Sequence, residues 1–208
     1  MRKRDFSQGQ ENARAASNVT RMNVYDFDNT ILRGDSTARF FAWCLARTPR
    51  MWLDAPGQLA NAALFVLRLR KKQAFKQRML RFVTMVDLEA QLARFWEKNL
   101  ARVKPFYLRV RREDDVVISA SPEFIIRPAC EALGVACVLG SPVDARTGRF
   151  LGANCHGAEK VRRFYEAFPG GEIDDFYSDS YSDQPLASLA KCAFMVRGER
   201  VLPWQPAK

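Results

Sequence analysis

Asp26 and Asp28 stand two residues apart in Asp26-Phe27-Asp28-Asn29-Thr30, at the end of an apolar run. Three other places carry polar residues in similar positions. Ser119 closes Val116-Val117-Ile118, Lys160 lies near the start of a helical stretch, and Asp179 with Asp183 follows the run at 175–178. Carboxylates, a hydroxyl and an ammonium gathered at one edge make a site for a hard divalent cation and a phosphoryl group. A single histidine and the lack of any Cys-x-x-Cys pair argue against zinc and for Mg2+. Each residue also has a plain structural use. Asp-Asn-Thr after a strand is ordinary turn chemistry, and a lone lysine on a helix is more often solvated. Asp183 suits the N-cap of the helix bearing Leu186 and Leu189, and Asp35 the N-cap of the first helix downstream. His156, beside Gly157, reads as a loop or packing residue.

For these residues to meet, the elements carrying them must share an edge. Short apolar runs at 22–27, 115–119, 136–140 and 175–178 end in or next to Ser, Gly or Asp, and a similar run lies at 192–196, as parallel strands buried on both faces do. Helical stretches at 122–133, 157–168 and 184–191 alternate with them, with Pro122 as a helix start. The alternation predicts an α/β fold, a Rossmann-like doubly wound parallel sheet. Ligands bind such sheets beyond the carboxyl ends of the strands, where the polar residues fall.

Residues 35–112 break the pattern. Apolar residues recur there at helical spacing, as in Phe40, Phe41, Cys44, Leu45 and again in Leu88, Leu92, Phe95, Trp96. An inserted helical module of about four helices is expected, with turns at Thr48-Pro49 and Arg70-Lys71-Lys72. The chain thus divides into a flexible tail at 1–20, a core of 21–34 and 113–208, and a helical cap of 35–112. The segment Arg146-Thr147-Gly148-Arg149 reads as a turn into a short strand or hairpin running through Cys155.

With 208 residues, 48% of them apolar and 12% aromatic, and a mean hydropathy of −0.27, the chain buries a core and is not disordered throughout. Its five cysteines are odd in number and read as reduced and mostly buried. The start is basic, but residues 5–20 are polar without an apolar core, so no secretory signal is expected and the protein is placed in the cytoplasm. A net charge of +10 favours anionic partners. Residues 34–115 hold 17 basic and 8 acidic side chains and account for nearly all of it. Within them the apolar stretch 59–67, half of what a spanning helix needs, is followed by Arg68, Arg70, Lys71 and Lys72. This suits a solvated basic turn beside a buried helix before it suits peripheral contact with an anionic membrane at its inner face.

The four polar places resemble the four motifs of the haloacid dehalogenase (HAD) superfamily of aspartyl-phosphate phosphatases, over roughly residues 22–198. Val24-Tyr25-Asp26-Phe27-Asp28-Asn29-Thr30 is similar to the first motif, and Val116-Val117-Ile118-Ser119 to the second. Lys160 in Gly157-Ala158-Glu159-Lys160-Val161 fits the third, and Ser178-Asp179-Ser180-Tyr181-Ser182-Asp183 the acidic fourth, with Ser178 and Ser180 where relatives carry glycine. The cap position between the first two motifs resembles the phosphoserine-phosphatase-like branch, subfamily IB. The fourth motif is similar to that of phosphatidylglycerophosphatase-C-like members.

The resemblance implies that Asp26 attacks phosphorus and Asp28 acts as general acid and then base. It implies Ser119 and Lys160 on the phosphoryl oxygens, and Mg2+ held by Asp26, the Asp28 carbonyl and Asp179, with Asp183 direct or through water. Asp35 falls where an acidic residue contacts substrate in phosphoserine phosphatases. The expected function is a Mg2+-dependent phosphomonoester hydrolase, its substrate a small phosphometabolite or a phosphorylated lipid headgroup. A phosphotransferase or mutase of the same superfamily keeps the same motifs. A non-catalytic module binding anionic lipid or nucleic acid is disfavoured, because carboxylates repel phosphates unless a cation intervenes, and no nucleic-acid partner is expected. The sequence carries no signal for oligomeric state.

Overall fold

The structure, a computed structural model, describes residues 20–205; the tail assigned to 1–20 falls, but for Thr20, outside them. Strands β1 (Arg21–Tyr25), β2 (Val116–Pro122), β3 (Cys137–Ser141), β4 (Glu172–Ser178), β5 (Ala190–Arg197) and β6 (Arg200–Pro203) form one sheet in the order β3-β2-β1-β4-β5-β6. The first five are parallel, and β6 pairs antiparallel with β5.

Both faces of the sheet are covered, which is why the strands read as apolar runs rather than alternating ones. From β1, Met22 and Val24 pack on one side with Phe164, Phe176 and Leu186. Tyr25 faces the other side with Ile125, Ile126 and the insertion. There Tyr25, Tyr177 and Phe194 stack across three neighbouring strands at 4.7 and 4.8 Å, a layer directly beneath the strand ends that carry the polar residues. Helices α6 (Glu123–Ala132), α7 (Ala158–Ala167) and α8 (Gln184–Ala187) connect the strands.

Between β1 and β2 lie five α-helices: α1 (Ser36–Arg47), α2 (Ala55–Val66), α3 (Lys72–Met79), α4 (Leu88–Asn99) and α5 (Pro105–Val110), with 3-10 turns among them. That is one more than the apolar spacing suggests, because α5 is only six residues long. Asp35 and Asp87 cap α1 and α4, accepting from Ala38 N at 2.8 Å and Ala90 N at 3.2 Å. Phe40, Phe82 and Phe95 meet edge to face at the centre of this bundle. Trp96 Nε1 donates to Ile125 O at 2.6 Å and ties the bundle to α6.

Other differences from expectation have tertiary causes. The helix expected over 184–191 stops at Ala187, because from Ala190 the chain pairs along β4. Pro122 ends β2 opposite Ser141 rather than opening the helix, which starts at Glu123. The expected hairpin through Cys155 reduces to a single bridge, Val143 with Phe150. Cys44, Cys130 and Cys155 are buried, Cys137 is half-buried and Cys192 is exposed, all as free thiols.

Candidate active site

Strand β1 delivers Asp26 to its carboxyl end, where the Asp26 amide donates to Tyr177 O at 2.9 Å. The chain then folds back on itself. Ile31 N and Leu32 N both donate to Phe27 O, at 2.9 and 3.0 Å, and Asn29 takes a φ of 57°, a left-handed conformation that asparagine tolerates better than most residues. This tight loop brings Asp28 forward beside Asp26. Asp28 Oδ1 accepts from Ser36 N at 2.7 Å and its Oδ2 from Ser121 Oγ. Ser121 Oγ also lies 2.8 Å from Thr37 Oγ1 and 3.2 Å from Ser36 Oγ. The orientation of Asp28 is therefore set jointly by β2 and by the first turn of α1.

Lys160, 2% exposed on α7, places Nζ 2.8 Å from Asp26 Oδ1 and 2.7 Å from Asp183 Oδ2. Ser178 Oγ donates to the same Asp183 oxygen at 2.7 Å, while Ser180 N donates to Ser178 Oγ and Ser182 N to Ser180 Oγ. The turn is thus stitched by serine hydroxyls, and neither Ser178 nor Ser180 needs the positive φ that glycine supplies. Ser119 is buried, and its Oγ accepts from Ser121 N at 3.1 Å.

All seven residues singled out in the sequence line one recess of about 170 Å3: Asp26, Asp28, Asp35, Ser119, Lys160, Asp179 and Asp183. A larger cavity of about 360 Å3 lies within the insertion and is walled mainly by apolar side chains, without groups suited to phosphoryl chemistry. Asp35 does two things at once, capping α1 and facing the recess. Asp183 does not cap α8 with its side chain; the carboxylate is turned to Lys160 and Ser178 instead. His156, expected as a loop or packing residue, lines the recess.

The sequence reading missed Ser36, Thr37, Ser121 and, above all, Lys76. Lys76 reaches from α3 of the insertion to Ala120 O at 2.9 Å and Asn154 Oδ1 at 3.2 Å, at the recess wall. The signal was there in Gln73, Lys76 and Gln77, a polar i, i+3, i+4 stripe beside Phe75 and Met79 on the same helix.

Burial pushes Asp26 above the usual carboxylate range, with Asp183 and Asp28 adding to the shift and Lys160 opposing it. Burial and the Asp35 charge push Asp28 up to about 6, against the hydrogen bonds from Ser121 and Ser36. Burial also raises Asp179, helped by Asp183. Burial alone would lower Lys160, but Asp26 and Asp183 outweigh it and hold the ammonium above the ordinary lysine value. Five carboxylates and two ammoniums, Lys160 and Lys76, line the recess, a deficit of positive charge that a divalent cation suits. Among the described residues no three His, Cys, Asp or Glu side chains form a ready metal cluster. Asp26, Asp28 and Asp179 line the recess and would offer a cation a sparse set of hard oxygens. That suits Mg2+, which keeps waters and takes substrate phosphate oxygens rather than an all-protein cage.

Comparison with known proteins follows the same lines. The family model of the haloacid dehalogenase-like hydrolases matches residues 24–188. Protein CicA of Caulobacter vibrioides is 26% identical over 201 residues, covering 88% of this chain and 87% of CicA. The histidinol-phosphatase of Neisseria meningitidis is 26% identical over 197 residues, covering 80% of this chain and 85% of that protein. A Bordetella pertussis protein of unknown function shares the fold, with a TM-score of 0.69 at 21% identity, over 84% of this chain and 89% of that one.

Proposed function

The chain belongs to the haloacid dehalogenase-like hydrolases and is a phosphatase, and on that premise we propose that it hydrolyses phosphomonoesters in two steps through a phosphorylated Asp26. The observation that supports this reading is the contact of Asp26 with Lys160 at 2.8 Å beside Asp28, three side chains in one small recess that would serve as nucleophile, phosphate-binding cation and acid.

In the first step Asp26 attacks phosphorus while Asp28 protonates the departing ester oxygen, giving an acyl phosphate and a free alcohol. Asp28, raised toward neutral pH, is suited to hold that proton. In the second step Asp28 takes a proton from water as it attacks the acyl phosphate, releasing inorganic phosphate and restoring Asp26. Lys160 and the Ser119 hydroxyl hold the phosphoryl oxygens. Mg2+, held by Asp26, the Asp28 carbonyl and Asp179, would cancel the repulsion between carboxylate and phosphate. Asp183 positions Lys160.

The recess is small and polar, which favours a compact phosphate ester. An amino-alcohol phosphate such as histidinol phosphate leads the candidates: one relative is a histidinol-phosphatase, and the exposed Asp35 carboxylate at the rim is a partner for a substrate ammonium. A phosphorylated lipid headgroup, met by a cytoplasmic enzyme at the inner membrane face, is the variant that the basic insertion favours. The test is release of inorganic phosphate with Mg2+, across amino-alcohol, amino-acid, sugar and lipid phosphates. Turnover that EDTA abolishes, that Asp26→Asn abolishes, and that leaves a hydroxylamine-sensitive phosphoprotein is expected. Transfer of phosphate only to an added alcohol would mean a phosphotransferase. If Asp26→Asn retains more than about a tenth of the rate, a loss under about 1.4 kcal/mol, the covalent route is wrong.

A further inference from the structure

The second helix of the insertion is built inside out. Its polar side chains turn toward the protein: buried Asn61 donates to Phe75 O at 3.1 Å and accepts from Arg70 at 2.6 Å, and Gln58 donates to Asp54 at 2.8 Å. Pro56, Leu59, Ala60, Ala63, Val66 and Leu67 recur every three or four residues on the opposite side, and all are exposed, Leu59 at 71% and Val66 at 76%. Residues 55–67 contain no Asp, Glu, Lys or Arg. Trp52 and Leu53 before the helix and Leu69 after it extend the exposed apolar surface, and the cavity of about 360 Å3 is lined in part by Trp52 and Leu59. A water-facing helix turns its charges outward. A continuous outward apolar face marks an interaction surface.

Charge selects the partner. Residues 36–86 hold ten basic side chains and one acidic, Asp54, which is already paired with Arg78. Arg50 ahead of α2 and Arg68 and Lys71 behind it are exposed. A second copy of this chain would bring the same positive charge against itself. Nucleic acid would set phosphates against hydrocarbon. An anionic bilayer offers headgroups to the basic residues and acyl chains to the apolar face. Among the described residues no helix is long and apolar enough to cross a membrane. The twelve residues of α2 span about 18 Å, against about 30 Å of hydrocarbon, so the helix would lie in the plane of the interface.

We propose that α2 is a docking element that seats the insertion on an anionic phospholipid surface. It packs on α3 through the stacked rings of Phe65 and Phe75, 4.5 Å apart, and α3 carries Lys76 to the recess. One helix therefore separates the docked face from the wall of the recess. The proposal does not depend on the reaction assigned above.

The test is co-sedimentation of the full chain with phosphatidylglycerol vesicles and with phosphatidylcholine vesicles at low salt. Binding to the anionic vesicles at least tenfold tighter than to the neutral ones is expected. Leu59→Asp with Val66→Asp should weaken it at least tenfold with the melting temperature unchanged. Arg68→Gln with Lys71→Gln should weaken it by about fivefold per charge removed. Asp26→Asn protein should bind like wild type, so docking can fail or hold independently of catalysis. Absence of binding to the anionic vesicles, equal binding to both kinds, or wild-type binding by the Leu59→Asp/Val66→Asp variant would overturn the proposal. So would a dimer in sedimentation velocity that this double substitution dissolves, since a second copy would then cover the face.

Discussion

The Phe150 amide donates to Oε1 of Gln77 at 2.9 Å, and Nε2 of the same side chain donates to Gly148 O at 2.9 Å, so one glutamine of α3 latches the insertion to the loop after β3. Gly148 lets the two surfaces close. Its φ is 68°, and a Cβ there would lie 2.3 Å from Leu80 O, a backbone atom that cannot swing aside. Gln73 adds a longer contact to Gly152 O at 3.4 Å.

Gly148→Ala should therefore lift the insertion off the loop and misplace Lys76 at the recess. The expected loss in kcat/KM is about 10- to 100-fold, from a displacement on the order of 1 Å. Gln77→Ala should follow it more weakly. Steady-state kinetics that agree with wild type within twofold for Gly148→Ala would mean that the latch has no part in the reaction.

Asp28→Ala should slow both half-reactions, but unequally across substrates. Aryl phosphates scarcely need a proton on the leaving oxygen, so they should still load phosphate onto the protein and then stall, because the water still needs a base. Rapid-quench measurement should show a burst of phenol with slow phosphate release. If aryl and alkyl phosphates lose rate alike and no phosphoprotein accumulates, Asp28 acts on the metal alone.

Lys160→Ala should leave the buried carboxylates of Asp26 and Asp183 without their shared ammonium. Breaking such a pair costs about 3–5 kcal/mol, which urea unfolding in the absence of metal would read as a fall in midpoint. Lys160→Ala combined with Asp26→Asn should regain part of that loss, since one unpaired charge is gone. A double variant no more stable than the single one would show that the charge pair is not what the lysine stabilises.

Asp115, buried at the start of β2, predicts a pH dependence of stability. Burial pushes its carboxyl up to about 6, with the hydrogen bond from Arg112 N opposing and Asp114 adding. The unfolded chain ionises near 4. Between about 4 and 6 the folded state thus holds more protons than the unfolded one, so this group's contribution falls as pH rises through that window. Asp115→Asn should raise the melting temperature more at pH 7.5 than at pH 4. Equal shifts at both would remove the linkage.

Much of the candidate site was legible because its signals are local. Asp26 and Asp28 sit two residues apart after an apolar strand, and Ser119 and Asp179 end runs whose composition already marks strands buried on both faces. Asp35 could be read both as a cap and as a site residue, and it caps α1 while lining the recess. What stayed hidden depends on pairings distant in the chain. Ser121 meets Asp28 across 93 residues and Lys76 meets Ala120 across 44, and no local pattern says which hydroxyl or ammonium will arrive. The end of α8 at Ala187 was decided by β4, whose free edge offers the chain from Ala190 onward more hydrogen bonds than another helical turn would. Whether the apolar stretch 59–67 lay in the core or on the surface was also undecided in the sequence, since hydropathy gives no direction. Only the packing of Phe65 on Phe75 and of Asn61 against Arg70 turned Leu59 and Val66 outward.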